Sequence, residues 1–216
     1  MNRREFSAQL LTAGASLGLL ACSSGVRAQG GPVEGTHYVR LSQPVATSTG
    51  GKVEVLEFFS YACPHCNAFE PTLEAWTKKL PPDVNFHRVP VAFLQNFENF
   101  QKLYYALEAM GQVDAMQRKV FAAVHVEHQR LDKPDQIAAL MSKNGIDGAK
   151  FMDVFNSFSV QAKAHQARQL TDAYKIDGVP AIGVQGRYYT SVSLAGSPER
   201  ALSVTDFLID RARKGA

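Results

Sequence analysis

The sequence predicts an α/β fold in which strands near both ends of the chain bracket an all-helical insertion. Three observations carry that expectation. Lys52 to Phe59 is a run rich in β-branched and aromatic residues that reads as a buried strand and leads into a Cys-x-x-Cys. Residues 98–174 hold no convincing strand pattern and repeat apolar residues at helical spacing. Residues 181–213 return to strand character and close with a capped helix.

The N-terminus reads as an export leader. Arg3 and Arg4 give a positive start, Leu10 to Ala21 is apolar and small, and Val26-Arg27-Ala28 offers a cleavage site. The apolar run is too short to span a bilayer comfortably. Arg3-Arg4 followed by Phe6 partly resembles a twin-arginine signal, and Leu19-Leu20-Ala21-Cys22 resembles a lipoprotein box. Cleavage after Ala28 is preferred to lipidation of Cys22, and both readings place the protein outside the cytoplasm.

Composition is that of a globular domain, with 216 residues, 45% hydrophobic and 20% charged. The net charge of +3 owes +2 to Arg3, Arg4 and Arg27 against Glu5, leaving +1 for the rest. The remaining basic residues are interspersed with acidic ones, which argues against nucleic-acid binding.

The elements follow in order. After the strand at 53–59, Ser60-Tyr61-Ala62 is a short connection, and Pro64 suits the first turn of a helix. That helix carries apolar spacing from Cys66 through Leu73 and Trp76 to Leu80, with a kink expected at Pro71. A second strand falls near 84–91. In the insertion, Leu103, Ala106, Leu107 and Met110 share one face, and Val113, Met116, Val120 and Val124 another. Gly111, Pro134 and Gly145-Ile146-Asp147-Gly148 are breaks. Strands are expected near 181–185 and at Arg187 to Thr190. A last helix starts at Ser197-Pro198 and runs to about Arg213.

The chain has three cysteines. Cys22 lies in the leader, so both cysteines of the mature chain belong to Cys63-Pro64-His65-Cys66. A bridge closing so short a loop stabilises by about 2 kcal/mol, against about 4 or more for a loop of a hundred residues. Stapling therefore explains the pair poorly. A structural zinc site needs four ligands. The only clustered histidines, His125 and His128 around Glu127, read as a solvated helix face that nothing in the sequence brings to the cysteines. Redox chemistry remains. Cys63 would cap the helix that begins at Pro64, where unpaired N–H groups and the macrodipole favour a thiolate. His65 adds a positive or hydrogen-bonding neighbour, so the Cys63 pKa should fall. Cys66, one turn on, should be more buried and act as the resolving thiol.

Val55-Leu56-Glu57-Phe58-Phe59-Ser60-Tyr61-Ala62-Cys63-Pro64-His65-Cys66 strongly resembles the active-site segment of the DsbA family, bacterial periplasmic dithiol oxidases. Gly178-Val179-Pro180-Ala181-Ile182-Gly183-Val184 resembles that family's loop before a strand. The resemblance implies a thioredoxin fold with an inserted all-helical domain. Its expected parts are a signal peptide at 1–28, thioredoxin-like segments at 29–97 and 175–216, and the helical domain at 98–174. It also implies a cis Val179–Pro180 bond, with the backbone of Val179 free to pair with a substrate strand. Glu57 takes the place of a buried acid near the cysteines, a candidate for tuning proton transfer to Cys66. Arg88 stands about where the family has a lysine. Arginine stays charged where a buried lysine could titrate, so a structural pair is as good a reading as acid–base coupling.

The leading expectation is an oxidase that donates its Cys63–Cys66 disulfide to reduced, unfolded secreted proteins. It would need no metal or other cofactor. By resemblance, a quinone-linked membrane protein of the DsbB type would reoxidise it, and the chain is expected to act as a monomer in the periplasm. A reductase or isomerase on the same fold is the alternative. Isomerases carry an N-terminal dimerisation domain, and only about 20 residues separate the leader from the first core strand. A metal-binding or partner-binding module with an unreactive Cys-x-x-Cys is a third reading.

Overall fold

A computed structural model describes residues 30–47, 49–94 and 97–215. The expected leader, its cleavage site and Cys22 lie outside the described residues.

Strand β2 (Val53–Phe59) is buried along its whole length. Its near-continuous apolar run is the signature of a strand covered on both faces. It pairs in parallel with β3 (Val84–Pro90) and antiparallel with β4 (Ala181–Val184). β5 (Tyr188–Ser191) follows β4 antiparallel, and the two-residue β1 (Val39–Arg40) pairs with β5. The sheet order is β1-β5-β4-β2-β3.

The parallel β2–β3 pair requires a crossover. Helix α1 (Pro64–Thr77) supplies it and continues through Pro71, ending short of the expected Leu80. Alternation along β2 then separates two cores. Val53 and Val55 pack with Phe69 and Leu73 of α1, Ile182 and Val184 of β4, and Leu208 of α8 (Pro198–Arg213). Leu56 and Phe58 pack on the other side with the helical insertion. α8 follows the single turn α7 (Val192–Ala195). Ser197 Oγ accepts the Arg200 N–H at 3.1 Å and Pro198 is the first helical residue, as the sequence leads one to expect.

The insertion comprises α2 (Glu98–Ala109), α3 (Val113–His125), α4 (Pro134–Lys143), α5 (Gly148–Phe155) and α6 (Phe158–Ala173). Its breaks fall at Gly111, Pro134 and Gly145–Gly148. Leu103, Ala106, Leu107, Met116 and Val120 are fully buried, and Met110, Val113 and Val124 pack against the same core.

Two glycines permit close approaches at β4 and the turn beyond it. A Cβ on Gly183 would collide with the ring of Tyr174, and one on Gly186 (φ +61°) would overlap the backbone of Val45.

Candidate active site

The C-terminal end of β2, the start of α1 and the start of β4 meet at the two cysteines. Cys63 is the N-cap of α1, with φ −89° and ψ 116°, and Pro64 opens the helix. Cys63 Sγ accepts the backbone N–H of Cys66 at 3.4 Å, taking the role of a capping oxygen. The connection before it is held by its own bonds. The Cys63 N–H donates to Ser60 O at 3.0 Å, and the Ala62 N–H to Ser60 Oγ at 3.3 Å.

Both cysteines are free thiols. Cys63 is half-buried, Cys66 is fully buried, and Pro64 and His65 are exposed. The Cys63 pKa is drawn down to about 6. The hydrogen bond from the Cys66 thiol is the main cause, opposed by partial burial and assisted by the backbone N–H groups of Cys66 and His65 and the charge of His65. Burial pushes the Cys66 thiol far up, and its hydrogen bond to Cys63 adds to this. One sulfur is thus a ready thiolate and the other a neutral thiol.

The Val179–Pro180 bond is cis. The Cys63 thiol points at Val179 O, 3.4 Å away. Val179 is half-buried and Pro180 buried. Residues 116 positions apart in sequence are therefore joined at the Cys63 sulfur.

A buried polar chain links β2, β3, α1 and α3. Arg88 Nε donates to Glu57 Oε2 at 2.8 Å, and Arg88 Nη2 donates to Glu70 Oε1 at 2.6 Å. Gln117 Nε2 donates to Glu70 Oε2 at 3.2 Å, and the Tyr61 hydroxyl donates to Gln117 Oε1 at 2.6 Å. Burial pushes Glu57 up to about 8 against the pull of Arg88, and it raises Glu70 as well. When ionised, Glu57 would raise the Cys66 thiol further.

Glu57 and Arg88 do meet, in the arrangement the family resemblance implies. Sequence reasoning missed Glu70, Gln117 and Tyr61. Glu70 lies one turn beyond Cys66, and Gln117 one turn beyond Val113, so each is a polar residue within an apolar stripe. That misfit was the available signal.

His125 corrects an expectation. Its helix end is not merely a solvated face. His125 Nε2 bonds Tyr61 O at 2.8 Å, and its ring stacks on Phe121. The helix end therefore reaches the connection two residues before Cys63. His128 is exposed. Among the described residues no group of three or more His, Cys, Asp or Glu side chains is placed to hold a metal ion.

Sheet order, crossover helix and helical insertion together define a thioredoxin-fold protein with a Cys-x-x-Cys at the start of α1. The family model of the DSBA-like thioredoxin domain matches residues 82–200. The chain belongs to the DsbA family. It is 41% identical over 182 residues to the thiol:disulfide interchange protein DsbA of Pseudomonas aeruginosa, covering 84% of this chain and 86% of that one. To the protein of the same name from Bordetella parapertussis it is 44% identical over 207 residues, covering 95% and 97%. The crystal structure of Pseudomonas aeruginosa DsbA superposes with a TM-score of 0.83 at 40% identity, covering 85% of this chain and 96% of that one.

Proposed function

We propose that this chain is a periplasmic thiol:disulfide oxidase in which Cys63 is the attacked sulfur and Cys66 the resolving one. A substrate thiolate attacks Cys63 Sγ of the Cys63–Cys66 disulfide. The S–S bond between the cysteines breaks, a mixed disulfide forms at Cys63, and Cys66 leaves and takes up a proton. A second substrate thiolate attacks the substrate sulfur of the mixed disulfide and displaces the Cys63 thiolate. The substrate is oxidised by two electrons and the enzyme's disulfide becomes a dithiol.

One observation carries the direction: Cys63 caps α1 with its pKa near 6 while Cys66 is fully buried. A stabilised thiolate favours the reduced enzyme and is a good leaving group, so the disulfide is a strong oxidant. Pro64 fixes the helix start and His65 contributes charge beside the sulfur. The backbone of Val179, held next to Cys63 by Pro180, pairs with an extended substrate segment. Glu57, close enough for its charge to reach Cys66, supplies the proton that the leaving sulfur takes, and Arg88 holds Glu57 in place. The substrates are reduced, unfolded exported proteins, and a quinone-linked membrane protein of the DsbB type restores the disulfide. Residues 1–28 are the export signal. The functional division is 29–97 and 175–216 for the thioredoxin-like part and 98–174 for the helical domain.

The reduction potential against a glutathione buffer tests the direction. A value well above that of thioredoxin supports the oxidase, and one close to it supports a reductase. Cys63→Ala should abolish oxidation of a reduced test protein, and retained activity would overturn the site.

A further inference from the structure

We infer that Gln117 of α3 is a positioning residue that decides which of two buried carboxyls holds a shared proton, leaving it on Glu57. The inference rests on the dithiol reading of Cys63 and Cys66.

Glu57 and Glu70 are both buried, and Arg88 is the cation that bonds both. Two ionised carboxylates on one guanidinium would leave an uncompensated negative charge in a low-dielectric site, which is costly. One proton therefore stays in the cluster near neutral pH.

Hydrogen bonds decide where it sits. Both oxygens of Glu70 face donors: Oε1 receives Arg88 Nη2, and Oε2 receives the Gln117 amide. Glu57 receives Arg88 Nε on Oε2, while its buried Oε1 has no donor among the described residues. Donors favour the ionised form, so Glu70 carries the charge and Glu57 the proton. The two carboxyls also differ in access to water. Glu70 and Gln117 line a surface cleft of about 380 Å³, whereas Glu57 is fully enclosed.

Gln117 can fill this role because its amide is oriented. The Tyr61 hydroxyl donates to Oε1, which turns Nε2 toward Glu70. A flipped amide could still bond the Tyr61 hydroxyl, which also accepts, but it would turn its oxygen on the Glu70 carboxylate and lose that bond. Tyr61 also belongs to the connection that ends at Cys63, and His125 holds its carbonyl. The proton's place is thus tied to the segment that carries the reactive sulfur.

Other charged and titratable groups surround the cluster. Glu74 of α1 and Arg118 of α3 act on Glu70, and Lys78 and Asp114 line the same cleft. Arg118 and Lys78 both bond Glu74, and the upward push of Glu74 on Glu70 is opposed by Arg118. Tyr61 and Tyr104 lie near enough to interact with Glu57, and burial raises both phenols, which keeps them neutral. Cys66 is neutral as a thiol.

The test is a site-resolved carboxyl-carbon NMR titration of the full reduced protein. In the unaltered chain at pH 7, Glu57 should be protonated and Glu70 ionised; the reverse assignment would overturn the inference without any variant. Gln117→Met keeps the volume and removes the donor. The Glu57 midpoint should then fall by about one pH unit while that of Glu70 rises. An unmoved Glu57 midpoint would overturn the inference. In a Glu70→Gln background the same Gln117→Met change should leave Glu57 where it was. An equal shift there would assign the effect to packing and overturn the positioning role. Disulfide transfer by the unaltered protein is measured separately. Loss of that transfer with the titration intact would sink the dithiol reading and leave the proton's location standing.

Discussion

Arg88 Nε lies 2.8 Å from Glu57 Oε2, and the two residues are direct register partners on the parallel β2–β3 ladder. The same guanidinium reaches Glu70 on α1 at 2.6 Å. A strand, its neighbour and the crossover helix between them are thus pinned by one cation.

Removing that cation should be expensive. Arg88→Met keeps much of the apolar stem but leaves two buried carboxyls facing each other. The expected loss is about 3–5 kcal/mol at pH 8, measured by urea unfolding of the reduced protein. The loss should shrink at pH 5, where both acids can be neutral. A loss below about 1 kcal/mol at both pH values would mean that the pair contributes no more than a surface ion pair.

Gly183 offers a test of packing alone. Its missing side chain leaves room for the Tyr174 ring, which lies 5.1 Å from Phe58 and accepts the Gly186 N–H on its hydroxyl at 2.9 Å. A ring held on two sides cannot step aside. Gly183→Ala should cost about 1–3 kcal/mol in thermal or urea unfolding. An unchanged midpoint would show that β4 or the ring shifts freely.

What was legible in the sequence had a local cause. The buried strand before Cys63, the Pro64 helix start and the Ser197 cap each follow from a few adjacent residues. The Glu57–Arg88 pair came from the family resemblance, and the parallel register of β2 and β3 places the two side by side. β1 was not legible, because two residues paired with Tyr188 and Tyr189 carry no periodic signal. Gln117 and His125 were missed because their partner, Tyr61, lies 56 and 64 residues away. A polar residue on an amphipathic helix reads as solvated until the packing partner is known.

His65 should contribute to the low Cys63 pKa without dominating it. The Cys66 thiol and the two backbone N–H groups remain when the imidazole is removed. His65→Ala should move the thiolate titration, followed by absorbance at 240 nm, upward from about 6 but short of the ordinary thiol range. The disulfide should become correspondingly less oxidising. No movement would remove His65 from the mechanism, and a full return would remove the helix-start donors.

Glu57 and Cys63 should give the oxidised and reduced proteins different pH–stability profiles. Glu57 rises from 4.5 to about 8 on folding, chiefly through burial. Between those values the folded chain holds a proton that the unfolded chain has released. Its contribution is therefore complete below about pH 4.5 and declines as pH rises toward 8. Cys63 moves the other way, from 9.0 down to about 6. Between those values the unfolded chain holds the extra proton, so this contribution is complete above pH 9 and is lost as pH falls through 6. A disulfide has no thiol to titrate, so only the reduced protein has the second contribution. The oxidised protein should lose stability steadily from pH 5 to 8, while the reduced protein loses less above pH 6. The reduced-minus-oxidised difference should widen up to about pH 9. Urea midpoints of both forms across this range measure it, and parallel profiles would mean that the Cys63 thiolate gains nothing from the folded site.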